Sequence, residues 1–219
     1  MDTPYTLIIG TKNWSSWSLR PYLALYAIGA PFHEIVIPLR RDTTTAEILR
    51  HSPTGRIPVL RIDGGGKAVT VWDSLAICET LSERHPDARL WPDDPMVRAE
   101  ARAYAAEMHS GFPDLREQLS MDFTRRLPMP ELRPATEAQI ALILSAWNEA
   151  LSRHAGDGGL LFGRFSIADC MYAPVVSRFL TYGVAMPERV QTYAERLMAL
   201  AAMRAWGEAA KEEVAKGLG

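Results

Sequence analysis

Apolar and polar positions follow two different periods along this chain, and the change from one to the other divides it. Tyr5 to Gly10 is a short apolar run centred on Ile8 and Ile9 that stops at a glycine, the pattern of a buried strand. From Leu19 the apolar positions Leu19, Tyr22, Leu23, Tyr26 and Ala27 recur at helical spacing, and Gly29 supplies a left-handed stop. With Ser18 as the cap, Pro21 falls in the first turn, where its missing N–H does no harm; a helix starting at Ser16 would bend there. Phe32 to Leu39 contains Ile35, Val36 and Ile37 and predicts a second strand, parallel to the first because a helix intervenes. A short helix from about Thr45 to Arg50 leads through the turn-rich Ser52-Pro53-Thr54-Gly55-Arg56-Ile57-Pro58 into a strand, Val59 to Ile62. Gly64-Gly65-Gly66 makes a turn and Ala68 to Trp72 returns antiparallel. Asp73-Ser74 then opens a helix with Leu75, Cys78 and Leu81 on one face, ended by His85-Pro86. The order is β-α-β-α-β-β-α.

Pro86 to Pro95 reads as a linker, and strand signals vanish beyond it. This places an α/β domain over residues 1–85 and an all-helical domain over 96–219. A helical pattern from Met96 to about Leu119 is interrupted near Gly111-Phe112-Pro113, and others run from Glu137 to His154, Glu188 to Leu200 and Met203 to Ala215. Ser166-Ile167-Ala168-Asp169 has the spacing of a capping box, a folding signal at a helix start.

Composition narrows the function classes. With 219 residues and 47% hydrophobic content the chain can bury a substantial core, which excludes global disorder. A formal net charge of -2 without a long basic run gives no general attraction to nucleic acid or anionic membrane. No basic region precedes an apolar core at the N-terminus and no membrane-spanning run occurs, so the expectation is a soluble cytoplasmic protein. Cys78 and Cys170 are far apart in helical patterns and read as buried thiols, without a disulfide or CxxC pair. The five histidines have no metal-ligand spacing, and no GxGxxG or GxxxxGK[ST] phosphate loop is present; no metal is expected.

The chemistry concentrates in Asn13-Trp14-Ser15-Ser16-Trp17-Ser18. Three hydroxyls and two indoles crowded where a strand hands over to a helix give small donors at a helix N-terminus between flat apolar walls, a place for an anion with an organic body. The same serines serve equally as helix caps. Asp73-Ser74 has a similar double reading: Ser74 caps a helix and Asp73 favours its dipole, or both hold a ligand there.

The β-α-β-α-β-β-α half, the Thr-Gly-Arg-Ile-Pro-Val-Leu strand entry, the Asp-Ser pair and the helical second half together resemble the cytosolic glutathione S-transferases. The resemblance implies that family's fold, an α/β thioredoxin-like N-terminal domain joined to an all-α C-terminal domain. It also implies glutathione as co-substrate, a small apolar electrophile as second substrate, and a homodimer. Ser15-Ser16-Trp17-Ser18 matches the zeta-class pattern Ser-Ser-Cys-Ser, with Ser15 at the catalytic serine, Ser16 as fallback donor and Trp17 where the pattern has cysteine. Without a thiol here the site looks like the serine-type classes, which activate glutathione's own sulfur. By the same resemblance, Asp73 and Ser74 hold the γ-glutamyl end, Ile57-Pro58 is the cis-proline dipeptide that pairs with the cysteinyl peptide, and Arg56 and His51 lie near the glycyl end.

On the acceptor side, Trp14, Trp17, Tyr104, Met108, His109 and Phe112 form a candidate apolar wall, the last four at helical spacings that a core face would also show. The leading expectation is a transferase attacking an apolar electrophile. Glutathione-dependent isomerisation of the maleylacetoacetate type is the alternative, needing a cationic pocket for which Arg20 is the one nearby residue. A non-catalytic binding module is the third.

Overall fold

The structure is a computed structural model and describes residues 4–64 and 68–219. Strands β1 (Tyr5–Gly10), β2 (Phe32–Ile37), β3 (Val59–Asp63) and β4 (Ala68–Trp72) form a four-stranded sheet of order β2-β1-β3-β4. β1 and β2 are parallel, whereas β3 is antiparallel to both β1 and β4. Helices α1 (Ser16–Ile28), α2 (Thr44–Leu49) and α3 (Ser74–Arg84) complete this half. The glycine turn falls largely on residues 65–67, outside the described residues.

The two-residue period of the strands decides which helix covers which face. Leu7 and Ile9 of β1 and Leu60 and Ile62 of β3 point to one side, where Leu19, Leu23, Ile77 and Leu81 of α1 and α3 bury them. Ile8, Ile37 and Val59 point to the other and meet Ile48 of α2 in a small separate cluster. β1 is thus buried on both faces, which is why its sequence is continuously apolar rather than alternating.

α1 begins a residue after Ser15, not Ser18. Pro21 therefore lies inside the helix, and it has no N–H to offer the carbonyl four residues back, that of Trp17. Gly29 ends the helix at φ 67, as its lack of a Cβ allows.

The helical half comprises α4 (Pro95–Ser110), α5 (Pro113–Gln118), α6 (Pro134–His154), α7 (Ile167–Tyr182), α8 (Glu188–Met198) and α9 (Ala201–Ala215). α7 is its axis: every residue except Leu180 is buried, and it packs against both α1 and α4. Trp147 of α6 is fully buried among Tyr172, Phe179 and Tyr193. The capping box forms as read, with Asp169 accepting from the Ser166 backbone N–H and hydroxyl, each at 2.9 Å. The Pro86–Pro95 connector is pinned rather than loose. Leu90 and Trp91 are buried, the Trp91 indole donates to Glu79, and the Leu90 carbonyl accepts from Ile167. Among the described residues no helix is long and apolar enough to cross a membrane.

The fold fixes the loop between β1 and α1 from the far end of the chain. Glu213 on α9 accepts from the Lys12 backbone N–H at 2.6 Å, and Trp206 donates to the Lys12 carbonyl at 3.0 Å. Asn13 is held on its other side by Phe123, Thr124 and Asp122.

Candidate functional site

A cleft of ≈ 990 Å³ runs along the junction of the two halves, lined by Trp17, Ile48, Thr54, Arg56, Ile57, Pro58, Trp72, Asp73, Ser74, His109 and Ser110. Its sheet side is built from three segment ends: the start of α1, the entry to β3 and the start of α3. The Ile57–Pro58 peptide is cis. α3 is capped by Asp73, whose Oδ1 accepts from the backbone N–H groups of Leu75 and Ala76 at 2.9 and 3.1 Å. Asp73 has φ 77, a left-handed conformation that an aspartate adopts only at a cost. Beside it Ser74 is 1% exposed, and its hydroxyl is buried with no partner among the described residues. A buried hydroxyl without a partner at the edge of a cleft keeps its hydrogen-bonding capacity unspent.

The serine-rich stretch splits by helical phase, since successive residues on a helix point about 100° apart. Ser15 Oγ lies 2.7 Å from Ser18 Oγ, which also accepts from the Gly10 N–H at 3.2 Å. With that N–H directed at Ser18, the Ser18 proton is free to go to Ser15, and the Ser15 hydroxyl can then donate outward. Ser16 faces the helical half instead and accepts from Arg178 Nη2 at 3.2 Å. Its oxygen is engaged by a buried cation; neither Ser15 nor Ser16, both buried, is among the residues that line the cleft.

Behind Trp17 sits a cluster of cations. The Arg20 guanidinium lies 4.1 Å from the Trp17 ring centroid and that of Arg116 lies 5.4 Å away. Arg20 is fully buried, and its Nε and Nη1 have no hydrogen-bond partner among the described residues. Burial, followed by the nearby charges of Arg178 and Arg116, pushes Arg20 down to about 9. Burial likewise brings Arg178, with Arg116 beside it, down to about 10. Among the described residues none of these three arginines forms a salt bridge. An unpaired buried guanidinium costs several kcal/mol, roughly, which an anion would offset.

The remaining residues read from the sequence divide. Arg56, Ile57, Asp73, Ser74, Trp17 and His109 meet in the cleft. His51 does not line it: its Nδ1 lies 3.1 Å from Arg61 Nη2, and burial, then the charges of Arg61 and Arg50, lower its pKa. Trp14 is stacked under Arg40, 4.0 Å from ring centroid to guanidinium, and does not line the cleft either. Met108 and Phe112 are corrected to core residues, 0% and 5% exposed, because that face of α4 and the turn after it bury against the helical core. Tyr104 donates to the Ala146 carbonyl at 3.1 Å and packs on Phe162. The expected apolar wall therefore shrinks to Trp17, and His109 beside it is polar.

Thr54, Trp72, Arg116 and Arg178 were not read from the sequence. Trp72 could have been found, as the residue before Asp73 on a short strand; the two arginines carry no local signal, since tertiary packing alone brings α5 and α7 to α1.

Residues 14–84 match the model of the glutathione S-transferase N-terminal domain and residues 133–209 that of the C-terminal domain. A maleylacetoacetate isomerase of Rattus norvegicus is 31% identical over 170 residues, covering 76% of this chain and 74% of that one. A probable maleylacetoacetate isomerase of Caenorhabditis elegans is 33% identical over 104 residues, 48% of this chain and 46% of that one, so the chain spans about half the length of that relative. The crystal structure of maleylacetoacetate isomerase from Anaeromyxobacter dehalogenans 2CP-1 with bound glutathione superposes with a TM-score of 0.70 at 26% identity, covering 94% of this chain and 96% of that one. With its mixed four-stranded sheet, its helical second half and a relative matched over three quarters of its length, the chain belongs to the cytosolic glutathione S-transferase family.

Proposed function

We propose that this protein is a glutathione-dependent isomerase or addition enzyme acting on a small unsaturated acceptor that carries carboxylates. The observation that carries this reading is the group formed by Arg20, Arg116 and Arg178, two of them fully buried, without a carboxylate partner among the described residues. A buried positive site of this kind discriminates against apolar acceptors and favours anions. The relatives named as maleylacetoacetate isomerases point the same way.

Glutathione lies along the cleft, its glycyl end toward Arg56, its cysteinyl peptide against Ile57 and its γ-glutamyl end at Asp73 and Ser74. Ser15 donates its hydroxyl to the thiolate. A thiol with a pKa of about 8.5 is only a few per cent ionised at neutral pH, and a depression of about two units would ionise most of it. One charged hydrogen bond of about 1.5–3 kcal/mol with the positive end of α1 supplies that. The thiolate sulfur adds to the activated carbon–carbon double bond, the adduct rotates about the resulting single bond, and elimination returns both the double bond and the thiolate. No atom is gained or lost. Arg116, half-buried beside Trp17, meets the acceptor's carboxylates, and the field of Arg20 and Arg178 behind it stabilises the negative charge that addition pushes onto the conjugated carbonyl.

Conjugation of an apolar electrophile is the second reading, favoured by the exposed faces of Trp17, Ile57 and Trp72 in the cleft. A panel of cis-unsaturated dicarboxylates and an aryl halide, each assayed with and without glutathione, separates them. Isomerisation dependent on glutathione is the expected result; turnover of the aryl halide alone would favour the second. No saturable change in tryptophan emission on glutathione titration would leave only a binding module of the same fold.

A further inference from the structure

His109 is carried by the helical half, yet it reaches the residue that opens α3. Its Nε2 lies 3.1 Å from Asp73 Oδ2, while Asp73 Oδ1 accepts the backbone N–H groups of Leu75 and Ala76. The carboxylate is thus gripped at both oxygens, one from each half of the molecule. Capping α3 needs only the first of these grips, and a cap does not need φ 77, which costs a non-glycine residue about 1–3 kcal/mol. The imidazole is itself fixed: Trp17 meets it edge-on with ring centroids 5.4 Å apart, and Nδ1 is buried with no partner among the described residues. With a carboxylate at Nε2 and nothing at Nδ1, Nε2 carries a proton and donates it to Oδ2. A carboxylate oxygen can accept more than one hydrogen bond, so Oδ2 retains capacity toward the cleft. Next to it stands the unpartnered Ser74 hydroxyl.

We propose that His109 is a positioning residue for the amino end of glutathione. By holding Oδ2 it aims the free lone pair of Asp73 at the α-ammonium of the γ-glutamyl group, while Ser74 meets the neighbouring carboxylate. The amino-end site is then complete only when the helical half is docked on the sheet half. This rests on the glutathione reading given above.

The test compares glutathione with glutaryl-cysteinyl-glycine, the same tripeptide lacking the α-amino group, on the full chain. His109→Leu keeps the bulk against Trp17 but has no donor; His109→Gln places an amide N–H near the position of Nε2. The expected result is about tenfold weaker glutathione binding in His109→Leu, the strength of one hydrogen bond to a charged group, with the loss carried by KM for glutathione. Affinity for the glutaryl analogue stays as in the wild type, and His109→Gln recovers most of the glutathione affinity. An equal loss on both ligands would reduce His109 to packing and overturn the proposal, as would unchanged glutathione affinity in His109→Leu. Failure of the wild-type protein to bind glutathione is a separate outcome, which removes the glutathione reading and this inference with it.

Discussion

Ser15 can donate outward because Ser18 stands one turn further along the same face and is itself held by the Gly10 N–H. Removing the Ser15 hydroxyl deletes one charge-assisted hydrogen bond, so Ser15→Ala lowers turnover about ten- to a hundredfold near neutral pH. Glutathione binding changes little. The deficit narrows as pH rises toward the free thiol's pKa, because the sulfur then ionises unaided; a pH–rate profile in which the deficit stays constant would remove Ser15 from thiol activation. Arg20 shows the opposite balance between folding and function. A buried, unpaired guanidinium is a burden on stability, and replacing it with a long apolar side chain relieves that burden. Arg20→Met is therefore expected to unfold at the same or a higher temperature than the wild type while its KM for a dicarboxylate acceptor rises at least tenfold. A large loss of thermal stability would show instead that the arginine is structurally satisfied.

At the scale of elements, α3 and α7 each start with a carboxylate that bonds the first-turn backbone, whereas Ser15 at the start of α1 makes no such cap and turns to Ser18. Asp169, in the box that starts α7, is fully buried, and burial pushes its carboxyl up to about 6 against three hydrogen bonds that favour the charge. Since its folded pKa lies above the unfolded value, the native state takes up the proton first. The stability linked to this group is fully present below about pH 4 and is lost as pH rises through 6, by about 3 kcal/mol. Chemical denaturation across pH 4–7 checks this by difference: the wild type loses stability relative to Asp169→Asn, and a difference that is flat with pH would contradict it. The start of α1 is where sequence and structure part. Propensity favours Ser18 as the cap because it spares Pro21, but the chain from Thr11 turns early, with the Ser15 N–H on the Thr11 carbonyl at 2.9 Å, and starts the helix at Ser16. That choice of phase puts Ser15 and Ser18 on one face and sends Ser16 to Arg178.

Across the whole molecule, the loop before Ser15 is anchored by α9, some two hundred residues later. Glu213 accepts the Lys12 N–H and sits with Glu34 around the Lys12 ammonium, which also lies over the Trp206 ring at 5.6 Å. Glu213→Ala should leave the sheet folded but loosen this loop, lowering turnover several-fold more than Glu213→Gln, whose amide oxygen still accepts from Lys12. Measured side by side, equal activity in the two variants would show that the anchor has no bearing on the site. The paired helical face of Tyr104, Met108 and Phe112 illustrates a limit of the same kind. Apolar residues at helical spacing identify a buried face, but not whether another helix or a bound molecule buries it, and here the core takes Met108 and Phe112.

By itself the sequence determined what local chemistry can determine: the succession of strands and helices with the parallel β1–β2 pair and the antiparallel β3–β4 hairpin, the glycine stop after α1, the capping box at α7, and Asp73-Ser74 at a helix start. Each follows from side chains within a few residues of one another, where backbone preference and hydrogen bonding are settled locally. The central β1–β3 pairing came from the tertiary structure. The tertiary structure decided that Ser15 pairs with Ser18 while Ser16 turns to Arg178, because helix phase depends on where the loop is held. It also decided that Arg116 and Arg178 join Arg20, and that His109 grips Asp73, because these residues are distant in sequence and only the docking of the helical half on the sheet half brings their charges together.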